Sequence, residues 1–217
     1  MYSKIITLFV LLFAISACDS TINKKKEAAN DDKTLIQNIV LNDSVKKALI
    51  LKGSSVSKQV VSVLQKNLKS AIKKEGIDHA IDFCHNRAML LTDSMSAALG
   101  VKVKRVAKKY RNSFNETTPK ESDLYKQFII DWLDRKPLTP KIIPDEKGHP
   151  VYYSIIKINN NVCLKCHGTP GKEMSAERET KIKEYYPTDK AINFKYAEPR
   201  GMWVITFPEY KVVQQKN

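Results

Sequence analysis

The 217-residue sequence has no internal repeat, no second domain boundary and no apolar run long enough to cross a bilayer unaided. Cysteine is scarce, with four residues, and 23 acidic residues face 37 lysines and arginines, for a formal net charge of +14. The basic residues are spread along the chain, so the charge does not favour nucleic-acid binding. It predicts a solvated lysine-rich surface or, alternatively, attraction to anionic lipid headgroups or an acidic redox partner.

The N-terminus predicts export and lipid anchoring. Lys4 and the apolar run Ile5–Ala14 have the pattern of an export signal. Ile15-Ser16-Ala17-Cys18 resembles a bacterial lipobox, which makes residues 1–17 a lipoprotein signal peptide and Cys18 the lipidation site; the alternative is an ordinary secretory signal with an incidental cysteine. Residues 18–40 are then a flexible tether. We expect a protein on the periplasmic side of the cell envelope, anchored to a bacterial membrane.

The run Cys163-Leu164-Lys165-Cys166-His167 has the pattern of a covalent c-type haem attachment site. Two cysteines three residues apart lie on one side of a helical turn, so both sulfurs can reach the vinyl groups of one porphyrin. The histidine directly after the second cysteine can bind the iron. The sequence therefore predicts one covalent haem c, with a redox dithiol or half of a zinc site as alternatives.

Cys84 is left over when the other three cysteines are assigned. It lies in the middle of an apolar stripe on a helix predicted between Asp78 and Gly100, so its thiol is expected to point inward. Two roles remain open from spacing alone: a small buried hydrophobic side chain, or a thiolate on the second axial face of the iron. Rival sixth ligands are Met89, Met95 and His85.

Local patterns also predict the other elements. A helix is expected over 42–75 with a break near Gly53, and a capped helix begins at Thr118. Strands are expected over 101–106, 142–145, 151–158 and 201–207, the last one central because it is nearly all apolar. A charged helix is expected over 175–186. Arg105 and Arg111, on and after the first strand, are candidates to neutralise haem propionates; the alternative is surface charge.

An ordered set of residues resembles a family of exported c-type haem domains with a PAS-like fold, which occur alone and as sensing parts of signalling proteins. The matching residues are Ala80-Ile81-Asp82-Phe83-Cys84, Arg105, Tyr110-Arg111-Asn112, Asn115, Pro119, Glu121, Cys163-x-x-Cys166-His167-Gly168, Tyr186-Pro187-x-Asp189-x-Ala191 and Arg200-Gly201. The chain departs at Ser113, where the family often has proline, and at Ala197-Glu198, where a glycine turn is common.

The resemblance implies an α+β fold over residues 41–212, with long N-terminal helices packed on an antiparallel PAS-like sheet. It also implies that His167 and Cys84 are the axial pair. With both positions filled the iron has no open site, so we expect no enzymatic activity. The expected function is redox or gas sensing, or one-electron transfer, with a separate redox or signalling partner. Two other classes stay open: a zinc module using Cys84, Cys163, Cys166 and His167, and a thiol-disulfide oxidoreductase.

Overall fold

The computed structural model describes residues 36–214 of the chain. The predicted signal peptide, the predicted lipidation site Cys18 and most of the predicted tether lie outside the described residues. Strand β1, Gln37–Ile39, falls inside the segment predicted as tether, so the folded part begins before residue 41. Within 36–214, no helix combines the length and the apolar character that crossing a membrane requires.

Helix α1, Asp43–Ala98, is capped by Asn42 and kinks at Glu75 and Gly76, where Gly76 has φ +84°. The predicted break near Gly53 is wrong, because the helix runs through this residue without interruption. A Cβ on Gly53 would lie 2.3 Å from the ring of Tyr152, so the glycine lets the helix approach the sheet closely. The break lies instead at Gly76, the predicted stop of the first helical segment.

Four strands form an antiparallel sheet in the order β2-β5-β4-β3. Their bounds are Lys102–Val106 for β2, Lys141–Pro144 for β3, Pro150–Lys157 for β4 and Pro199–Thr206 for β5. Strand β5 lies between β2 and β4, which confirms its predicted central position. A last strand, β6, Tyr210–Val212, pairs in parallel with β1 in a separate two-stranded sheet.

Helices cover both faces of the four-stranded sheet. Helix α2, Pro119–Leu133, begins with the predicted capping box on Thr118. Alternate residues of β5 point to opposite faces: Trp203 and Ile205 join the core cluster of α1, whereas Met202 and Val204 join the cluster of α2. The architecture is therefore α+β, as predicted.

Three short elements complete the described fold. They are the 3₁₀ helix Ser113–Asn115, helix α3, Asn161–His167, and helix α4, Ala176–Tyr185. Ile182 of α4 packs on Ile81 of the second half of α1, and Cys166 of α3 packs against the same cluster. Helix α4 therefore brings the predicted haem-attachment segment and the Cys84 segment to one part of the fold.

Candidate functional site

Helix α3 presents Cys163 and Cys166, both half-buried, on a single turn. The helix ends directly after His167 because the backbone of Gly168 is extended, with ψ −164°; the Gly168 N–H still donates the last helical hydrogen bond, to the Leu164 carbonyl at 2.8 Å. A Cβ on Gly168 would lie 2.5 Å from that carbonyl oxygen, so no larger residue fits there without a shift. The glycine after the histidine is therefore required by close packing.

The His167 ring is held in one tautomer. Its Nδ1 lies 2.9 Å from the Ala191 carbonyl oxygen, which can only accept, so Nδ1 carries the proton. The Arg200 Nε lies 3.4 Å from the same nitrogen, but a protonated Nδ1 cannot accept a hydrogen bond. Burial, followed by the positive charges of Arg111 and Arg200, holds the pKa of His167 well below its usual range. The ring is therefore neutral, and its Nε2 lone pair is available to a metal.

Arg111 ties the α3 segment to the chain that supports His167. Its guanidinium contacts Asp189 Oδ2 through Nε at 3.2 Å and Nη2 at 3.1 Å. The same Nη2 donates to the carbonyls of Cys166 at 2.6 Å and Ala191 at 3.2 Å. Asp189 Oδ1 in turn accepts from the Ala191 N–H at 2.8 Å. These contacts position the ring support, and the role of Arg111 toward propionates stays a prediction.

Arg200 lies next to His167, although it enters the sequence-based predictions only through the family resemblance and not as a site residue. Its Nη1 donates to the Lys109 carbonyl at 3.0 Å, and its guanidinium lies 5.2 Å from the centre of the Phe194 ring. Burial, and then the charge of Arg111, lower the pKa of Arg200 to about 10. Sequence reasoning missed the contact because Arg200 follows His167 by 33 residues.

Arg105 contrasts with Arg111 in its contacts. It lies on β2 opposite Trp203, and within the described part of the chain its guanidinium makes one long hydrogen bond, 3.4 Å to the Ala88 carbonyl. Burial lowers the pKa of Arg105, and a thiolate at Cys84 would raise it. A buried guanidinium that makes only one long hydrogen bond to the described residues is suited to bind an anionic ligand.

Cys84 is exposed, so the interpretation as a small buried hydrophobic residue is not supported. Neighbouring protein groups nevertheless crowd the thiol. Burial raises the pKa of Cys84 to about 11, and Cys166 acts in the same direction, whereas Arg105 and Arg111 oppose it. The Cys84 residue is therefore exposed, while its sulfur lies close enough to Cys166, Arg105 and Arg111 for their charges to shift its pKa.

Two of the three rival ligands, Met95 and His85, make other contacts in the described structure, and Met89 stays a prediction. Met95 packs against the core cluster between α1 and the sheet. His85 stacks on Tyr185, with ring centres 4.3 Å apart. Within residues 36–214, no three His, Cys, Asp or Glu side chains lie close enough together to hold a metal ion. The four ligands of the zinc alternative are therefore not assembled.

A cleft of about 250 Å³ opens next to the Cys84 segment. It is lined by His85, Arg111, Asn112, Ser113, Phe114, Tyr185, Tyr186, Pro187 and Thr188. The pKa of Tyr186 is raised by burial and then by the charge of Cys84, which places this ring near the thiol. Mostly aromatic and polar walls next to a cysteine and an arginine are suited to a flat, partly charged ligand.

Helix α4 connects the two segments of the site. Asp82, two residues before Cys84, accepts from the Tyr185 hydroxyl at 2.6 Å and from Lys181 Nζ at 2.7 Å. Arg178 of the same helix donates to Asp78 at 2.9 Å and to the carbonyl of α3 residue Lys165 at 3.4 Å. The position of the Cys84 segment relative to α3 therefore depends on polar contacts of α4.

The two departures from the family pattern have local explanations. Ser113 is the first residue of the 3₁₀ helix capped by Asn112, and proline is favoured at that position of a helix. Ala197 has φ +65°, in the left-handed region that favours glycine. Its N–H donates to the Ile158 carbonyl at 2.7 Å, so a hydrogen bond accompanies the strained conformation.

Comparisons with known proteins agree with this architecture. The sequence model of the Tll0287-like family matches residues 19–208. The fold is similar to the crystal structure of the cyanobacterial heme-protein Tll0287, with a TM-score of 0.55 and 23% sequence identity over 78% of this chain and 98% of that chain. At this identity the structural match shows the fold alone. No curated protein sequence matches the chain.

Proposed function

The chain belongs to the Tll0287-like family, and from this premise we propose that it is an exported, lipid-anchored haem protein. Cys163 and Cys166 hold one haem c covalently, and His167 and Cys84 bind its iron. One observation carries this proposal. His167 directly follows the second of two cysteines on one helical turn. Its ring is neutral, its Nδ1 donates to the Ala191 carbonyl, and its Nε2 is available to bind iron. The similar cyanobacterial protein is a heme-protein, which supports the same cofactor here.

The other residues of the site fit the same group. The Cys84 residue is exposed, and although burial of its thiol raises the pKa to about 11, the charges of Arg105 and Arg111 act against that shift. Arg105, with a single long hydrogen bond within residues 36–214, is available to pair with a propionate. Arg111 and Asp189 keep α3 next to the Ala191 carbonyl that orients His167. These contacts fit a haem held between α3 and the Cys84 segment, in the PAS-like domain with one cofactor that we propose.

The proposed ligands decide between kinds of activity. A bound haem supplies a one-electron iron centre, and a thiolate ligand favours its oxidised form. Cys84 and His167 would together leave a bound iron no open position, so the proposed function is not enzymatic. It transfers single electrons, or it senses redox state or a small gas through release of Cys84. A separate redox or signalling protein at the periplasmic side of the membrane is the partner.

The two alternative functions have weaker support. Within the described residues the zinc ligands are not brought together, as a Cys₃His centre would require. A reactive Cys-x-x-Cys pair has a lowered thiol pKa, whereas burial raises the pKa of Cys166. Neither a zinc module nor a thiol-disulfide oxidoreductase is therefore favoured.

The proposal is tested by expressing the full chain with the cytochrome c maturation machinery and measuring its intact mass and absorption spectrum. We expect the added mass of one haem, lost when Cys163 and Cys166 are both replaced by Ala. Cys84→Ala should keep the covalent haem but change the oxidised spectrum, because it removes only the axial sulfur. A purified chain without a haem adduct would overturn the proposal, and an unchanged Cys84→Ala spectrum would remove Cys84 from the ligand set.

A further inference from the structure

The first half of helix α1 carries charge of one sign. Residues 44–74 contain eight lysines and no aspartate, glutamate, arginine or aromatic residue. After the kink at Gly76 the same helix carries acidic residues, among them Asp78 and Asp82. The segment whose charged residues are all lysines is therefore confined to the first half of α1, before the kink.

Five of the eight lysines form one exposed face, which we call the lysine face: Lys47, Lys58, Lys66, Lys69 and Lys73. At 3.6 residues per turn they fall within an arc of about 100°, on the side opposite the buried Leu49, Val56 and Val60. Leu51 lies in the middle of the arc and is 64% exposed.

Within residues 36–214, the lysine face has no acidic partner. The other three lysines of the segment pair with carboxylates: Lys46 with Asp43, Lys52 with Glu209 and Lys74 with Glu75. Among residues 36–214, no carboxylate lies in ion-pair range of the five lysines that define the face. Within the described part of the chain, the face is therefore a row of positive charges without ion pairs.

We propose that the lysine face binds the anionic phospholipid headgroups of a bilayer. The helix from Asp43 to Lys74 is about 48 Å long, so it presents a row of charges to a planar surface rather than a compact patch. Lysine is depleted in protein–protein interfaces, whereas the aromatic residues and arginines that anchor them are absent here. Exposed Leu51, with its apolar side chain among the ammonium groups, suits the headgroup boundary.

The lysine face and the proposed lipid at Cys18 would act on the same membrane. This step rests on the lipid at Cys18 in the proposed function. Seventeen residues, 19–35, separate Cys18 from the described residues, and a chain of that length spans at most about 60 Å. A single lipid signal combined with a basic surface gives firmer membrane attachment than either does alone.

The test uses the mature chain from residue 18 onward with Cys18→Ser, exported behind a cleavable secretory signal. This protein lacks both the acyl chain and the apolar run Ile5–Ala14 and keeps the lysine face intact. Its flotation with phosphatidylglycerol vesicles is compared with flotation on vesicles of phosphatidylcholine alone. We expect binding to the anionic vesicles only, lost at high salt because exposed charges are screened. Replacing Lys58, Lys66 and Lys69 by Gln should weaken this binding about a hundredfold, since each lysine near an anionic surface contributes about fivefold.

A second triple variant is the matched control. Replacing Lys102, Lys147 and Lys195 by Gln removes the same net charge from exposed positions outside α1 that, within residues 36–214, also have no carboxylate in ion-pair range, and it should leave vesicle binding nearly unchanged. Equal losses in the two triples, absence of preference for anionic vesicles, or binding to RNA or an acidic peptide without binding to vesicles would each overturn the inference. The absorption spectrum of the same samples reports on the haem separately, so failure of one proposal is not mistaken for failure of the other.

Discussion

The two halves of helix α1 are held to the protein by different combinations of contacts. Residues 44–74 pack on the sheet through apolar side chains and through Gly53, which lies against Tyr152. Residues 77–98 carry Cys84; Ile81 and Met95 pack on apolar clusters, and charged hydrogen bonds of Asp78 and Asp82 add a connection to α4. A kink at Gly76 separates the two halves. One long helix can therefore combine a rigid support with a ligand-bearing segment whose position depends on a few directed contacts.

The difference predicts how each half responds to substitution. Apolar packing is distributed over many atoms, and a change in a well-packed core affects the stability of the whole fold. Charged hydrogen bonds are fewer and directional, so the loss of one acts locally. Substitutions in the first half should therefore change global stability, whereas those in the second half should change the environment of Cys84.

Gly53→Ala should have the largest effect. The added Cβ would lie 2.3 Å from the Tyr152 ring, so helix or sheet must shift, and overpacking of this kind costs about 1–3 kcal/mol. Alanine is the better helix former by about 1 kcal/mol, which acts in the opposite direction. Urea unfolding measures the net change. Ser55→Ala, at an exposed position of the same helix, is the control; a Gly53→Ala protein as stable as this control would contradict the role given to the close approach.

Asp82→Asn should have the next largest effect, confined to the second half. It weakens the charged bonds from Lys181 and Tyr185, for a loss of about 1 kcal/mol at this partly exposed position. Hydrogen exchange should accelerate in residues 77–98 and stay unchanged in 44–74.

The control for Asp82→Asn is Glu179→Gln, which breaks the ion pair with Lys183 within α4 and leaves α1 untouched. In the haem-loaded protein, Asp82→Asn should also shift the absorption bands that report on the Cys84 ligand, whereas Glu179→Gln should not. Equal exchange in both halves of α1 would show that Asp82 does not act locally.

The reactivity of Cys84 in the haem-free chain should depend on pH in a characteristic way. Its pKa of about 11 lies above that of an ordinary thiol, so little thiolate is present near neutral pH. In a chain with Cys18→Ser, Cys163→Ala and Cys166→Ala, alkylation should become about tenfold faster per pH unit up to pH 10. The urea-unfolded chain is the reference, and its rate should level off near pH 9. Coincident profiles would mean that the fold does not crowd this thiol.

The smallest effect is expected on the outer face of the first half. Replacing Lys58, Lys66 and Lys69 by Gln should change the free energy of unfolding by less than about 0.5 kcal/mol, because these side chains are exposed and glutamine is an equally good helix former. Urea unfolding under the conditions used for Gly53→Ala checks this. A large loss would show that the lysine face contributes to folding as well as to the proposed membrane contact.

Much of the fold was predictable because its signals are local. The cap at Thr118, the stop at Gly76, the central strand β5 and the α3 motif each depend on residues within a few positions of one another. Three features were missed: the pairing of β1 with β6, the continuity of α1 through Gly53, and the contact of Arg200 with His167. Each involves chain segments far apart in sequence, where periodicity carries no information.

The sequence by itself determined which groups are available: two cysteines and a histidine on one helical turn, a leftover cysteine, and a segment whose only charges are lysines. Only the tertiary structure decided what surrounds them. It sets the Ala191 carbonyl against His167, places Arg111 between Asp189 and α3, and leaves the Cys84 thiol exposed. The physical reason is that hydrogen bonds and burial depend on distances between atoms, and residues 78 positions apart, such as Arg111 and Asp189, meet only after the sheet has formed.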